Sequence, residues 1–420
     1  MEKTKIYTWT DLLYILAVLV LVPFFLFPKL SLTWVFFAFP LIWILRWIRK
    51  ETVFKRTVLD WALLVLTFQV VISCFIVPDI SFSLPKITGF FLGILIFYTL
   101  AYYLDSEEYL KIGIYVFLGG GFLIALIGIL GMSKHEEPKY IAFLYDLLKK
   151  LPSVDFNLPG AEKGFHPNAV AGGLILVLPL CFVLLLAYFK KKNIENMIFK
   201  GQLWLLPLCL IFLTIGFVIL LTQSRSSFGG LFIGVWFLVF AGWKWKKIGL
   251  IVITLVMISL LLSFFLMVGS NKIPYTNLEA SHKLAGRVSV FWGPAINTIS
   301  QHPFFGIGMN QVRVIPIVGD EQAHFHDQFL HTAAELGIPA LAAYLALLVG
   351  VFFMCWKVWK GSGKGWMRIS ALGLGCGQLA FLVFGVMDCI PLGAKVGILF
   401  WFSIGLITAL YNVVRRSQTG

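Results

Sequence analysis

Apolar runs of about 20 residues recur from one end of this chain to the other, and they constrain its fold more than any motif does. Each run is long enough to cross a hydrocarbon core of about 30 Å as a helix. Hydrocarbon offers no partner to a backbone amide, so segments of this length can span it only as helices. The expected fold class is therefore all-α, a polytopic membrane protein. Its 59% hydrophobic and 13% charged content excludes a soluble globular domain. Twelve spans are predicted, near 11–27, 31–48, 58–77, 87–104, 112–131, 168–189, 203–222, 226–243, 247–268, 337–358, 367–388 and 394–413. The first run has no small-x-small cleavage site and is followed closely by another apolar run, so it reads as a retained span.

A net charge of +14 over 420 residues raises the question of nucleic acid. The distribution answers against it. Basic residues cluster in short links at 46–56, 190–200, 244–247 and 357–368 and in the tail at Arg415 and Arg416, as the positive-inside rule expects. With twelve spans, both termini then lie in the cytoplasm. The acidic link 105–111 also falls inside, which the rule tolerates because acidic residues contribute little to it. Residues 1–420 form one integral membrane domain, with two larger outer segments at 132–167 and 269–336. Cysteines 74, 181, 209, 355, 376 and 389 lie scattered in apolar runs without a C-x-x-C pair, which argues against a disulfide framework or a zinc ribbon. No internal repeat, nucleotide loop or Asp-x-Asp motif is present, which argues against a cytoplasmic nucleotide-sugar transferase.

The longest polar interruption is Ser281 to Ala340. From Val288, apolar residues recur at helical spacing through 299, and Pro294 is expected to kink that helix. Gly306-Ile307-Gly308 lacks a preceding strand and a third glycine, so it reads as a tight turn rather than a dinucleotide loop. A helical pattern resumes from His326, and Gly337-Ile338-Pro339 breaks it. Outside this stretch, Arg225 sits between hydroxyls in a near-absent loop; it either snorkels to headgroups or serves a site. His166-Pro167-Asn168 is a helix-start signal, or lines an outer cavity. Asp388 and Lys395 end facing helices and either pair or reach the same cavity. His324, His326 and His331 with Asp320 and Glu321 could be metal ligands or solvated loop residues. His326 and His331, five apart, suit one helix face poorly, and H-E-x-x-H is absent.

The order of these parts resembles the O-antigen ligase/polymerase family of bacterial membrane glycosyltransferases. The residues that carry it are Arg225 within Ser-Arg-Ser, Arg287 with Trp292, His302-Pro303 with Gly306 and Gly308, His326-Asp327 with Leu330, and Glu335-Leu336-Gly337. It covers roughly the C-terminal two-thirds of the chain. Asp327 replaces the family's usual Asn, and Ala340 stands where a second Gly is common.

The resemblance implies glycosyl transfer at the outer face of the bacterial inner membrane, by a ligase or a polymerase. The donor would be a polyprenyl-diphosphate-linked glycan. The acceptor would be a lipid core, a glycan or a protein. It implies His326 as general base, and Arg225 and Arg287 as the groups that hold the diphosphate. Arg313, His324, Asp327, His331, His166, Asn168, Asp388 and Lys395 are further candidates for substrate contact. No cofactor, metal or nucleic acid is expected. A transporter of a small anion or lipid-linked substrate is the alternative; it should show midplane charges and broken repeated helices, whereas here polar groups gather at one face.

Overall fold

The computed structural model describes residues 9–26, 28–31, 38–51, 55–132, 141–152, 154, 164–189, 204–242, 291–314 and 324–419. They form α1 (Trp9–Leu26), α2 (Ala38–Ile48), α3 (Asp60–Ile76), α4 (Ile80–Tyr103), α5 (Glu107–Gly131), α6 (Ala142–Lys150), α7 (Pro167–Leu174), α8 (Leu178–Phe189), α9 (Leu205–Thr222), α10 (Arg225–Gly242), α11 (Gly293–Gln301), α12 (Gln328–Gly361), α13 (Gly365–Met387) and α14 (Ile398–Thr419). Among the described residues there is no strand, only a single bridge between Met132 and Phe165. The all-α expectation stands.

Seven helical segments among the described residues are long and apolar enough to cross a membrane: α4, α5, α7 with α8, α9, α12, α13, and α14 with the 3-10 turn before it. α3 is a shorter apolar helix. The expected ninth span, 247–268, lies outside the described residues. Exposed Trp61, Phe75, Leu206 and Val349 on these helices suit a lipid-facing surface, since lipid reverses the usual cost of exposed apolar groups.

The starts and stops follow from local chemistry. Ser106 caps α5 by accepting the Tyr109 amide, and Glu107 and Glu108 in the first turn complement the helix dipole. Asp79 caps α4 by accepting the Ser81 amide, so the helix begins at Ile80, seven residues before the expected span start. The polar Ser81, Ser83 and Lys86 and the helix-internal Pro85 had masked that first part. The expected span 168–189 is two helices with a turn between them. There Leu176 presents its carbonyl to Gly377 of α13 so closely that a Cβ at 377 would strike it.

The core joins α3, α4, α5, α7, α8, α9, α12, α13 and α14 around fully buried Trp401, Tyr344, Phe90, Phe97 and Phe117. Chain direction alternates through it, so the helix ends sort to two faces. One end collects Arg46, Lys55 and Asp105 in one group, and Glu107, paired with Lys364, in another. At the other, the 304–311 loop is fixed to α3 and α4. Gln69 donates to the Phe304 carbonyl at 2.8 Å, Ser73 Oγ accepts the Met309 amide at 2.7 Å, and Gln311 donates to Ser83 Oγ at 2.8 Å.

Candidate active site

The 304–311 loop and the break in α12 are built for each other. Gly306 and Gly308 have φ of 66° and 99°, and Gly337 has φ 85° inside α12. The Ile307 and Gly308 amides donate to the Ala334 and Glu335 carbonyls at 2.9 Å, and the Ile338 amide donates to Pro303 at 2.8 Å. A Cβ at Gly306 would run into the Glu335 backbone, and one at Gly337 into the Phe304 carbonyl. The expected tight turn is thus a backbone-to-backbone clasp on the expected helix break. It exposes Phe304, and it fixes the start of α12.

Pro294 lies in the first turn of α11, directly after a π-helical stretch at 291–292, and the upstream part of the helix expected from Val288 lies outside the described residues. One sequence expectation changes here. His326 is not the first residue of a helix. Its φ is 52°, a left-handed conformation uncommon outside glycine, and α12 begins at Gln328. Asp327 is the N-cap. Its carboxylate accepts the Phe329 and Leu330 amides at 2.9 and 2.8 Å. Burial raises its pKa, and these two bonds oppose the rise. Asn caps helices about as well as Asp, which accounts physically for Asp at this position. Asp327→Asn is therefore expected to keep thermal stability near that of the unaltered protein, and Asp327→Ala to lower it by about 1 kcal/mol. Equal losses in a thermal unfolding assay would show that the charge matters beyond the cap.

Three helix ends converge on Asp388, which is 1% exposed at the C-terminus of α13. Its Oδ1 accepts the Cys389 amide at 2.9 Å and stands 3.2 Å from His326 Nδ1. Its Oδ2 accepts from Asn168 Nδ2 at 2.6 Å. Asn168 belongs to the first turn of α7, whose N-cap is His166: the His166 Nδ1 accepts the Asn168 amide at 3.3 Å. The two readings of His166-Pro167-Asn168 divide by residue. His166 and Pro167 start the helix, and Asn168 reaches the buried carboxylate. Gln328 accepts the Ile390 amide at 2.9 Å and so ties the start of α12 to the turn after Asp388.

His324 Nδ1 accepts the His326 amide at 3.3 Å, and its Nε2 lies 3.9 Å from Asp388, beyond hydrogen-bond reach. The two rings meet edge to face at 4.4 Å. Burial, then the neighbouring His326, lower the His324 pKa well below the usual value, with Asp388 opposing; His324 is neutral near pH 7. The His326 ring also meets Phe291 at 4.8 Å. Phe291, Ala295, Val312, Phe325 and Ala334 form a small apolar cluster beneath the histidine loop, and Arg313 follows Val312 at its exposed edge. His331 lies deeper, 2% exposed. Its Nε2 is 3.3 Å from Glu335 but is not aligned for a hydrogen bond, so neither ring nitrogen has one.

Arg225 opens α10 after a left-handed turn at Gln223, whose side chain accepts the Ile141 amide at 2.8 Å and so anchors the start of α6. Ser224 Oγ bonds the hydroxyls of Ser226 and Ser227 at 3.2 and 3.0 Å. α10 and α13 run antiparallel in close contact. Gly234 faces the Cys376 carbonyl and Gly230 that of Ala380, a register that brings Arg225 level with Gly385, one turn before Asp388. Lys395 opens the 3-10 turn before α14 and is half-buried. Arg287 lies outside the described residues.

A carboxylate that holds the Nδ1 side of an imidazole leaves Nε2 as the proton acceptor, in a tautomer fixed by that contact. The ligand atoms of His324, His326 and Asp388 also lie within 4.8 Å of one another, which makes them a candidate metal cluster. That span is wide for a tetrahedral site, where ligands at ~2.1 Å from the metal stand about 3.4 Å apart. Both Asp388 oxygens already accept hydrogen bonds.

A multi-pass helical membrane protein with a buried carboxylate–histidine pair at one end of its bundle is the class that this fold and site define. Residues 209–345 match the family model described as O-Antigen ligase. The match supports an O-antigen ligase-like family and, at family level, ligase- or polymerase-like glycosyl transfer. No curated protein matches the chain.

Proposed function

We propose that this protein transfers a glycan from a polyprenyl-diphosphate-linked donor to an acceptor hydroxyl at the outer face of the bacterial inner membrane, without a metal. The observation that carries this reading is the His326–Asp388 pair, close to the level of Arg225, in a chain whose 209–345 segment matches the O-antigen ligase model. In this reading the chain crosses the membrane twelve times with both termini in the cytoplasm. Segments 132–167 and 269–336 face outward.

The acceptor oxygen attacks the anomeric carbon while the bond from that carbon to the diphosphate breaks. The leaving polyprenyl diphosphate takes the electron pair, and His326 Nε2 takes the hydroxyl proton. Arg225, Arg287 and Arg313 hold the diphosphate, because planar, permanently charged guanidinium groups bind phosphate oxygens in pairs. Their stabilisation of the charge gained by the leaving group lowers the barrier. Asp388 orients His326, and Asn168 steadies Asp388. Neutral His324 backs the loop, Asp327 caps its helix, His331 lies buried beside it, and His166 and Lys395 border the cavity.

A chelator tests the metal-independent form of this reading. Transfer by the purified protein is expected to be unchanged after exhaustive chelation. Loss of transfer that one divalent ion restores would make His324, His326 and Asp388 metal ligands and remove His326 as the base.

A further inference from the structure

The basic end of the bundle carries a second polar site, far from the histidines. α1, α2 and α4 enclose a cleft of about 20 Å³, room for one water-sized group such as a single phosphate oxygen. Tyr14, Trp43, Arg46, Lys55, Tyr98 and Tyr102 line it, with Ala101 and Tyr103. We propose that this cleft binds the phosphate group of a membrane phospholipid.

Arg46 is 2% exposed. Its Nη2 donates to Asp11 and to the Tyr103 hydroxyl, both at 2.7 Å, and its guanidinium lies over the Tyr14 and Tyr102 rings. Its Nε is buried and has no acceptor among the described residues. A buried charged donor without an acceptor is costly, and the cleft beside it is the space from which an acceptor oxygen can reach it. Lys55 stands at the rim, 3.0 Å from the Tyr102 carbonyl and 3.3 Å from Asp105, with its ammonium over the Tyr102 ring.

The surroundings fit a lipid source. Trp47 and Trp61 are 74% and 80% exposed, and Trp9 lies beneath the Arg49 guanidinium. Around the same end, Lys360 lies over the exposed Trp356. Exposed tryptophans with cations among them mark the headgroup level of a leaflet. Arg46 and Lys55 line the cleft, paired with Asp11 and Asp105, and Asp60 accepts the Tyr98 hydroxyl; the exposed Arg49, Lys50 and Arg56 belong to the same 46–56 link. The cleft itself is balanced in charge, so its draw for one phosphate oxygen is the buried Arg46 Nε, with the basic link around it. The site would also lock the α1–α2 hairpin onto α4.

The test is native mass spectrometry of the detergent-purified chain titrated with phosphatidylglycerol, with inorganic phosphate as competitor. The unaltered protein is expected to retain one tightly held lipid that millimolar phosphate does not displace. Arg46→Met combined with Asp11→Asn removes the donor without stranding its counter-charge. That pair, and Lys55→Ala alone, are each expected to weaken retention at least about tenfold, with Arg416→Ala as an unaffected control. Lys55→Ala alters only the rim and keeps the test alive if the double variant fails to fold. Equal retention by all variants, or equal weakening by Arg416→Ala, would overturn the site. Displacement by inorganic phosphate would overturn the lipid as its source.

Discussion

His326→Ala is expected to lower turnover about 10²–10⁴-fold, the usual contribution of a general base, while binding of the lipid-linked donor survives. The reason is geometric. Asp388 stands 3.2 Å from one ring nitrogen of His326 and leaves the other for the acceptor hydroxyl, whereas the diphosphate contacts are assigned to arginines. His324→Ala and His331→Ala should cost much less turnover, since one ring backs the loop and the other is buried under it. Asp388→Asn should keep donor binding and lower turnover less than His326→Ala, because it weakens the hold on the ring without removing it. Wild-type turnover by His326→Ala at saturating donor and acceptor would remove the base from the mechanism.

Arg225→Lys is expected to be nearly as damaging, about 10²–10³-fold in transfer, the range seen when one preorganised charge-stabilising donor is lost. An ammonium keeps the charge but not the planar fork that grips two phosphate oxygens. The substitution should leave the fold intact, because the packing of α10 against α13 rests on Gly230 and Gly234 meeting carbonyls of α13. Arg287→Lys should behave alike. Donor affinity and transfer in vesicles, compared with thermal unfolding, separate this from a structural loss. Near-normal transfer by both Lys variants would mean that these arginines only anchor their helices among headgroups.

Much of the membrane architecture was legible because helix signals are local. The limits of α9 and α13 fall within a few residues of the apolar runs, α7 and α8 together fill the run 168–189, and the Gly306–Gly308 turn and the Gly337 break were both readable from glycine placement. Caps were less so. The polar stretch from Ser81 to Lys86 reads as a link, yet Asp79 starts a helix through it. His326 matches helical spacing with Phe329 and Leu330, yet Asp327 takes the cap and leaves His326 in a left-handed turn. The centre of the site was the least legible. Asp388 meets His326 across 62 residues and Asn168 across 220, and no spacing rule reports such contacts. Sequence alone left Asp388 with two readings, a pair with Lys395 across one short link or a place in the cavity, and could not name its partners. The fold brings it under the histidine loop, because α7, α12 and α13 all end at that level.

The most direct test of the central claim follows the products of a single turnover. Purified protein, a polyprenyl-diphosphate-linked glycan and a hydroxyl acceptor should release one polyprenyl diphosphate for each glycan transferred. The new glycosidic bond should have the anomeric configuration opposite to that of the donor, because one direct displacement inverts the carbon. Retained configuration would require a covalent intermediate that His326 cannot supply as a base. Movement of the donor across a membrane with no new bond formed would make the protein a transporter, and would contradict the account outright.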